Sequence, residues 1–487
     1  MVAQFDNGFV VGTRGLTIGA ELVEGDGDKL DVLNPATEKV LATVALASVQ
    51  QADDAVSAAR AGFEVWRRLL PSERSGLMHR YIDLIEQARE ELVATLVNEV
   101  GSPISLVEAA QAYLPVKQLR WFADAAAKDR VEHLGPDFDP VLNVSQVAYR
   151  PVGVVVAISA YNYPLMIAAL KLGSALAAGC SVVLMPSPRA PLTALRLGEL
   201  ALEAGLPPGV VNVIAGDPAI GRHLVEHPGT DKVSFTGSVP VGADILATAS
   251  SQIKGVTLEL GGKGAAIVFE DADLSRAVVD AHMRWSRNAG QVCTAPTRIL
   301  VHESMKDEFV AASVPMFERL VVGDPWRPET VIGPLITPEH RDRVQSYVDG
   351  ALSEGGEVLV AGTAELPSTG WYMNPVLLGG LPEDARAVQE EIFGPVAVLQ
   401  TFTDESDAIR IANSTQFGLS ASVYTTDLKR AMRAAEELRA GTVWINGGGP
   451  LRPEAVFGGF GLSGLGREQG EHGIMEFLEA QHVQWQP

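Results

Sequence analysis

A chain of 487 residues is too long for one ordinary hydrophobic core and implies two or three domains. With 47% hydrophobic and 20% charged residues it can bury a large core, which excludes a disordered chain. The net charge of −22 repels phosphate backbones and sets nucleic acid aside as a partner.

The two cysteines, Cys180 and Cys293, are too few for a disulfide scaffold and lack metal-site spacing, so no metal is expected. Residues 1–12 show no basic stretch leading into an apolar run, so a cytoplasmic protein is expected. The segment 48–69 is Ala-rich, with Ser48 as cap, Asp53 and Asp54 early and Arg67 and Arg68 late, a polarity that suits a helix dipole. The segment 71–100 reads as one long amphipathic helix between Pro71 and Gly101. Residues 141–150 alternate imperfectly and form a candidate hairpin arm, and 480–487 a strand that pairs elsewhere. From 153 to 185 the only charge is Lys171. Asn162, Pro164, Gly173 and Gly179 interrupt this apolar run, so strand, turn, helix and strand are expected rather than a membrane span. Strands at 152–158, 181–185, 210–214 and 232–235 alternate with helices at 165–178 and 192–204, the pattern of right-handed parallel βαβ units. After a strand at 257–260 the habit repeats, with a helix at 273–288 capped by Asp273 and strands at 297–302, 396–401 and 443–446. Two α/β domains follow, with a boundary near 259–263.

Cys293 lies in Asn-Ala-Gly-Gln-Val-Cys-Thr, a glycine-containing turn where a thiol can meet a substrate. The ordinary alternative, a small buried hydrophobe, fits Cys180 at the head of its strand. Glu259, among apolar strand residues and followed by Gly261 and Gly262, is either a solvent-facing acid or a buried base with a raised pKa. Asn162 either braces a turn or points its amide at a developing oxyanion. Lys171 by itself reads as a solvated helix residue. No G-x-G-x-x-G follows the first strand of the βαβ series. Instead Phe235-Thr236-Gly237-Ser238 follows a strand and opens a helix whose first amides can bind a pyrophosphate. The run 390–396 holds an acid that either grips a ribose hydroxyl or stands exposed. The late glycines from Gly458 to Gly470 permit a tight chain path.

In combination these stretches are far more specific than any one of them. With Tyr161-Asn162-Tyr163-Pro164-Leu165, Glu259-Leu260-Gly261-Gly262-Lys263, Gly290-Gln291-Val292-Cys293, Asn446 and the run 457–468, the chain resembles the aldehyde dehydrogenase superfamily over nearly its whole length. The resemblance implies two Rossmann-like parallel-sheet α/β domains plus a small β oligomerisation arm. Residues 1–130 and 151–258 would bind NAD(P), 259–446 would carry catalysis, 131–150 and 478–487 would form the arm, and 447–477 would return to the cofactor domain. It implies a small aldehyde substrate, NAD as cofactor with NADP open, and a homodimer or homotetramer. It implies that Cys293 attacks the aldehyde carbon while Asn162 and the Cys293 N–H hold the oxyanion. Hydride loss to the nicotinamide would leave a thioester, hydrolysed by water that Glu259 activates, with Lys171 as a proton relay. Lys263 and Glu468 would bridge elements around that base. The cofactor contacts implied are Ser159, Ala160, Tyr161, Met185, Ser187, Gly237, Ser238, Leu260, Gly261, Glu391 and Phe393.

Two departures stand out. Met185-Pro186-Ser187-Pro188 replaces a common Lys-Pro-Ser-Glu, removing both a repulsion of and an attraction for a 2′-phosphate, with Arg189 adjacent to compensate. Ala160-Tyr161 replaces Pro-Trp and Val456 replaces a proline, both packing changes. Around the substrate the expected residues are Ile167, Leu170, Trp285, Val292, Thr294 and 447–451, including Leu451. They are apolar or small and favour a medium aliphatic, terpenoid or aromatic aldehyde. Arg120, Arg287 and Arg452 offer the alternative, a grip on the carboxylate of a semialdehyde. Three rivals are weaker. A CoA-acylating enzyme does not need Glu259, a catalytically silent relative needs none of Cys293, Asn162 and Glu259, and a cysteine hydrolase needs a histidine that the motifs lack.

Overall fold

The structure is a computed structural model and describes residues 14–449 and 451–486. The readings on residues 1–12, Pro450 and Pro487 fall outside the described residues.

One large sheet has a parallel centre in the order Gly255–Glu259, Lys232–Thr236, Val154–Ser159, Ser181–Pro186, Val211–Val213. The short strands Leu16–Ile18 and Glu21–Val23 close one edge in antiparallel fashion and Gly464–Leu465 closes the other. A second sheet runs Glu357–Ala361, Val376–Gly379, Val396–Phe402, Arg298–His302, Ala265–Val268, Ser420–Tyr424, Thr442–Ile445, parallel except for its first pair. Helices pack on both, so the fold is the expected pair of parallel α/β sheets. The chain leaves the first sheet at Glu259 and enters the second at Ala265, which places the Glu-Leu-Gly-Gly-Lys run in the crossing. A third sheet joins the hairpin Val131–Asp137 and Asn143–Pro151 to Leu478–Trp485, with Ala480 opposite Tyr149.

Local sequence explains these elements. Ser48 caps helix Val49–Trp66 in a reciprocal box with Gln51. Pro164 opens the helix Pro164–Ala178, wholly buried, and Gly179 ends it at φ 99°. This apolar run is a core helix, and no helix among the described residues is long and apolar enough to cross a membrane. One expectation is corrected. Residues 71–100 form two helices, Pro71–Gln87 and Arg89–Val100, parted at Ala88, where ψ is 9°. The break lets each half turn its own stripe inward, Met78, Tyr81, Ile82 and Ile85 in the first and Leu92, Leu96, Val97 and Val100 in the second.

Candidate active site

Helix Leu274–Ser286, capped by Asp273, runs into a turn where Asn288, Ala289 and Gly290 are all left-handed, with φ of 53°, 54° and 73°. A non-glycine residue there costs about 1–2 kcal/mol, so side chains must hold the turn. Asn288 Nδ2 donates to the Asn162 carbonyl (3.0 Å), and Asn162 Nδ2 donates to the Gln291 carbonyl (2.9 Å). Gln291 Oε1 accepts from the Tyr161 hydroxyl (3.2 Å) and the Ile336 N–H (3.1 Å). Ser102 closes the back by donating to Asn288 Oδ1 (2.5 Å). The turn delivers Cys293, free and half-buried, against Gly262, where an added Cβ would stand 2.3 Å from the Cys293 carbonyl oxygen. Burial, then the Glu391 and Glu259 carboxylates, push the Cys293 thiol up to about 12.

Glu259 ends its strand buried, and neither carboxylate oxygen has a hydrogen-bond partner among the described residues. Burial first, then the Glu468 carboxylate, holds its pKa well above the usual range, with Lys171 opposing. Lys171 is also buried and donates to Glu468 Oε1 (2.8 Å) and Ser234 Oγ (3.0 Å). Neither Glu259 nor Lys171 therefore faces solvent. Gly458, at φ 149°, brings the late glycine cluster onto the acid, since a Cβ there would lie 2.9 Å from Glu259 Oε1. Lys263 is buried too, its amine without a hydrogen-bond partner among the described residues and pushed down to about 7 by burial.

The first sheet reverses its winding between Val154–Ser159 and Lys232–Thr236, and open α/β sheets take ligands outside the carboxyl ends of such strands. Ser159 Oγ and Thr236 Oγ1 stand there buried, with no hydrogen-bond partner among the described residues. Helix Val239–Ser250 starts at the same place, and Ser238 at its cap makes no side-chain cap bond. Orphan hydroxyls and open helix N–H groups fit a pyrophosphate. Across from them runs the loop 390–394. Glu391 Oε1 accepts from the Gly262 N–H (2.9 Å), and burial lifts this carboxyl to about 7. Phe393 is left-handed at φ 60°, with its ring edge-on to Tyr161 at 6.1 Å. The Arg189 guanidinium lies 5.6 Å over the Tyr161 ring.

The family model described as "Aldehyde dehydrogenase family" matches residues 22–483. The chain belongs to the aldehyde dehydrogenase family. It is 38% identical over 472 residues to an Arabidopsis thaliana protein named mitochondrial succinate-semialdehyde dehydrogenase, covering 97% of this chain and 89% of that one. Its fold matches an NAD+ complex of a Bacillus cereus aldehyde dehydrogenase with a TM-score of 0.95 at 35% identity, covering 100% and 99% of the two chains. A variant of aldehyde dehydrogenase C from Pseudomonas syringae, in complex with NAD+ and octanal, matches with a TM-score of 0.92 at 36% identity over 97% and 96%.

Trp285, Arg120 and Arg452, expected around the substrate, are engaged elsewhere. Trp285 is fully buried in the second sheet's core, its Nε1 donating to His282 Nδ1 (3.0 Å), because the helix turns it to the same inner face as Ala277, Val278 and Ala281. Arg120 pairs with Asp83 and Glu86 (2.9 and 2.5 Å) on the outer surface, and Arg452 pairs with Glu454. Met185 is buried, with its sulfur against Gly216 and Gly221. Gly447 and Gly448 lie against Arg276 and Arg284 of the helix Leu274–Ser286. Ile167, Leu170 and Val292 are buried, while Thr294 and Leu451 are half-buried. Ala160 and Ser187 are half-buried at the carboxyl ends of the central strands, and Leu260 and Gly261 are buried in the crossing. Gly237 donates its N–H to the Glu259 carbonyl (3.0 Å).

Sequence reading missed three sets of residues here. Gln291 and Asn288 brace the Cys293 turn, and only their place inside the motif hinted at it. His340 and Arg343, on helix Pro338–Ser353, reach the loop 390–394 from about fifty residues away, and no local signal marks them. Asp53, His223 and His227 converge on the outer helices, but His227 Nδ1 accepts from the Gly229 N–H (2.9 Å), so its Nε2 carries the proton and is occupied toward Asp53.

Proposed function

We propose that the chain oxidises an aldehyde to the carboxylic acid with NAD+, NADP+ being the alternative. The observation that carries this is the meeting of Cys293, Asn162 and a buried Glu259 with no hydrogen-bond partner beside a crevice of orphan hydroxyls. Glu259 takes the Cys293 proton, directly or through water, and the thiolate adds to the aldehyde carbon. Asn162, oriented by its bond to the Gln291 carbonyl, gives an N–H to the oxyanion together with the Cys293 N–H. NAD+, when bound, would supply the acceptor for the hydride that this adduct must lose to become a thioester on Cys293. Once Lys171, bonded to Glu468, has relayed that proton away, Glu259 removes a proton from the water that hydrolyses the thioester. Ser159, Ala160, Tyr161, Ser187, Gly237, Ser238, Leu260 and Gly261 would cradle the cofactor, with Met185 as a buried wall. Glu391 and Phe393 would hold the nicotinamide end.

Buried Ile167, Leu170 and Val292, with Thr294 and Leu451, support a medium apolar or aromatic aldehyde, and the Pseudomonas syringae relative was captured with octanal. One observation favours a second reading, a carboxylate-bearing semialdehyde. Arg287 Nε is buried without a hydrogen-bond partner among the described residues, and both Arg287 and Cys293 act on the Tyr163 hydroxyl. The Arabidopsis thaliana relative carries a succinate-semialdehyde name. We also assign 1–130 and 151–258 to the cofactor domain, 259–446 to the catalytic domain, 131–150 and 478–487 to an oligomerisation arm and 447–477 to the return segment. We infer a homodimer or homotetramer built through that arm.

The test follows reduced-nicotinamide absorbance with a panel of apolar aldehydes and semialdehydes, using NAD+ and NADP+ separately, with Cys293→Ala in parallel. Aldehyde-dependent reduction that vanishes in the variant is expected. Reduction only when CoA is added would replace the hydrolytic reading with the acylating one.

A further inference from the structure

Three consecutive carbonyls in the loop 390–394 are held by two side chains of one helix. Arg343 donates to the Glu391 carbonyl (3.0 Å) and the Ile392 carbonyl (2.9 Å), and His340 Nε2 donates to the Phe393 carbonyl (2.8 Å). Residues 340 and 343 lie one turn apart on the same face. The His340 ring also meets the Phe393 ring at 6.1 Å. The helix can sit this close because residue 394 is glycine, where a Cβ would lie 2.5 Å from Val344. On its other side the loop touches the Cys293 turn, since a Cβ on Gly290 would stand 2.1 Å from the Gly394 carbonyl. Phe393 is left-handed, a conformation its side chain disfavours, so something outside the loop must hold it. Arg343 is itself stacked 5.1 Å over Tyr347, whose hydroxyl donates to Glu390 (2.7 Å), leaving His340 as the one bond on the strained residue's carbonyl among the described residues.

We propose that His340 is a positioning residue for the reaction. Through the Phe393 carbonyl it holds the loop 390–394 in the shape that presents Glu391 and Phe393 to the nicotinamide end of the cofactor. This rests on the reading that those two residues contact the cofactor. His340 acts as a neutral donor, because burial pushes its pKa down to about 4. Its removal frees the loop without touching a reacting atom, so cofactor binding suffers before chemistry does.

The experiment compares His340→Ala and His340→Gln with the parent protein. It measures NAD+ KM and kcat, the melting temperature, and amide hydrogen exchange in peptides covering 388–396. For His340→Ala the expectation is an NAD+ KM raised about tenfold, which corresponds to about 1.4 kcal/mol. Faster exchange confined to 388–396 and a kcat within a few fold should accompany it. Glutamine, which keeps an N–H donor, is expected to restore both KM and exchange. Unchanged KM and exchange in His340→Ala overturn the proposal, as does a glutamine variant that behaves like alanine. Glu391→Gln tested beside them separates the two readings. If it leaves KM unchanged while His340→Ala still speeds loop exchange, the cofactor assignment of Glu391 fails and the positioning of the loop stands.

Discussion

Lys171 Nζ donates to Glu468 Oε1 across 2.8 Å, with both side chains buried and the Glu259 carboxylate close enough to feel each of them. Burial and the Glu468 carboxylate raise the Glu259 pKa further than the Lys171 and Arg467 cations lower it. A base must be ionised to work, so thioester hydrolysis should fall as pH drops through the raised Glu259 pKa, well above the range of an ordinary carboxylate. Glu468→Gln removes a carboxylate that raises this pKa, and the acid limb should move to lower pH. Lys171→Met removes the cation that lowers it, and the limb should move to higher pH. Single-turnover acid release between pH 5 and pH 9, with melting curves as folding controls, reads both. Superimposable limbs would show that Glu259 is not the titrating base.

The Cys293 thiol is lifted by burial and by two carboxylates, with Glu391 first. In the free protein it should stay protonated at neutral pH. Iodoacetamide labelling should therefore rise about tenfold per pH unit from pH 7 to pH 10, tracking the thiolate fraction. Glu391→Gln removes the larger carboxylate effect and should speed labelling at fixed pH. Mass spectrometry of the Cys293 peptide measures it, and a plateau by pH 8 would reveal a stabilised thiolate instead.

Gly262 has no room for a methyl group beside the Cys293 carbonyl, and its own N–H holds Glu391. Gly262→Ala should lose about 1–3 kcal/mol of stability through overpacking. Activity should fall further than stability, because the displaced backbone carries both contacts. Urea unfolding alongside steady-state kinetics checks this, and a variant with normal activity would show that the loop 390–394 can follow the displaced backbone.

These residues differ in how visible they are in the amino-acid sequence. Cys293, Glu259 and Asn162 sit inside short stretches whose glycines, apolar flanks and buried amide are local signals. The βαβ alternation was legible for the same reason, since period and capping are written within one element. The break at Ala88 carries no glycine or proline, and it arises because two halves of a regular helical pattern bury different faces. Trp285 lies in the core and not at the pocket, because closeness in sequence to Cys293 says nothing about which side of the helix Leu274–Ser286 faces inward. The bond from His340 to Phe393 spans 53 residues, and only the packing of helix on loop creates it.

Arg287 decides between the two substrate readings. It begins the turn into Cys293, and its Nε is buried with no hydrogen-bond partner among the described residues, an arrangement that costs free energy unless something binds it. A carboxylate on the substrate would satisfy it through a charge-assisted bond. If the semialdehyde reading holds, Arg287→Ala should raise KM for succinate semialdehyde by about tenfold to a hundredfold, at about 1.4 kcal/mol per tenfold. KM for an unbranched aliphatic aldehyde such as octanal should stay within about twofold, since uniform packing contacts remain. If the apolar reading holds, both constants change together or not at all. The ratio of the two KM changes, measured in the same preparation, removes any general loss of active protein from the comparison.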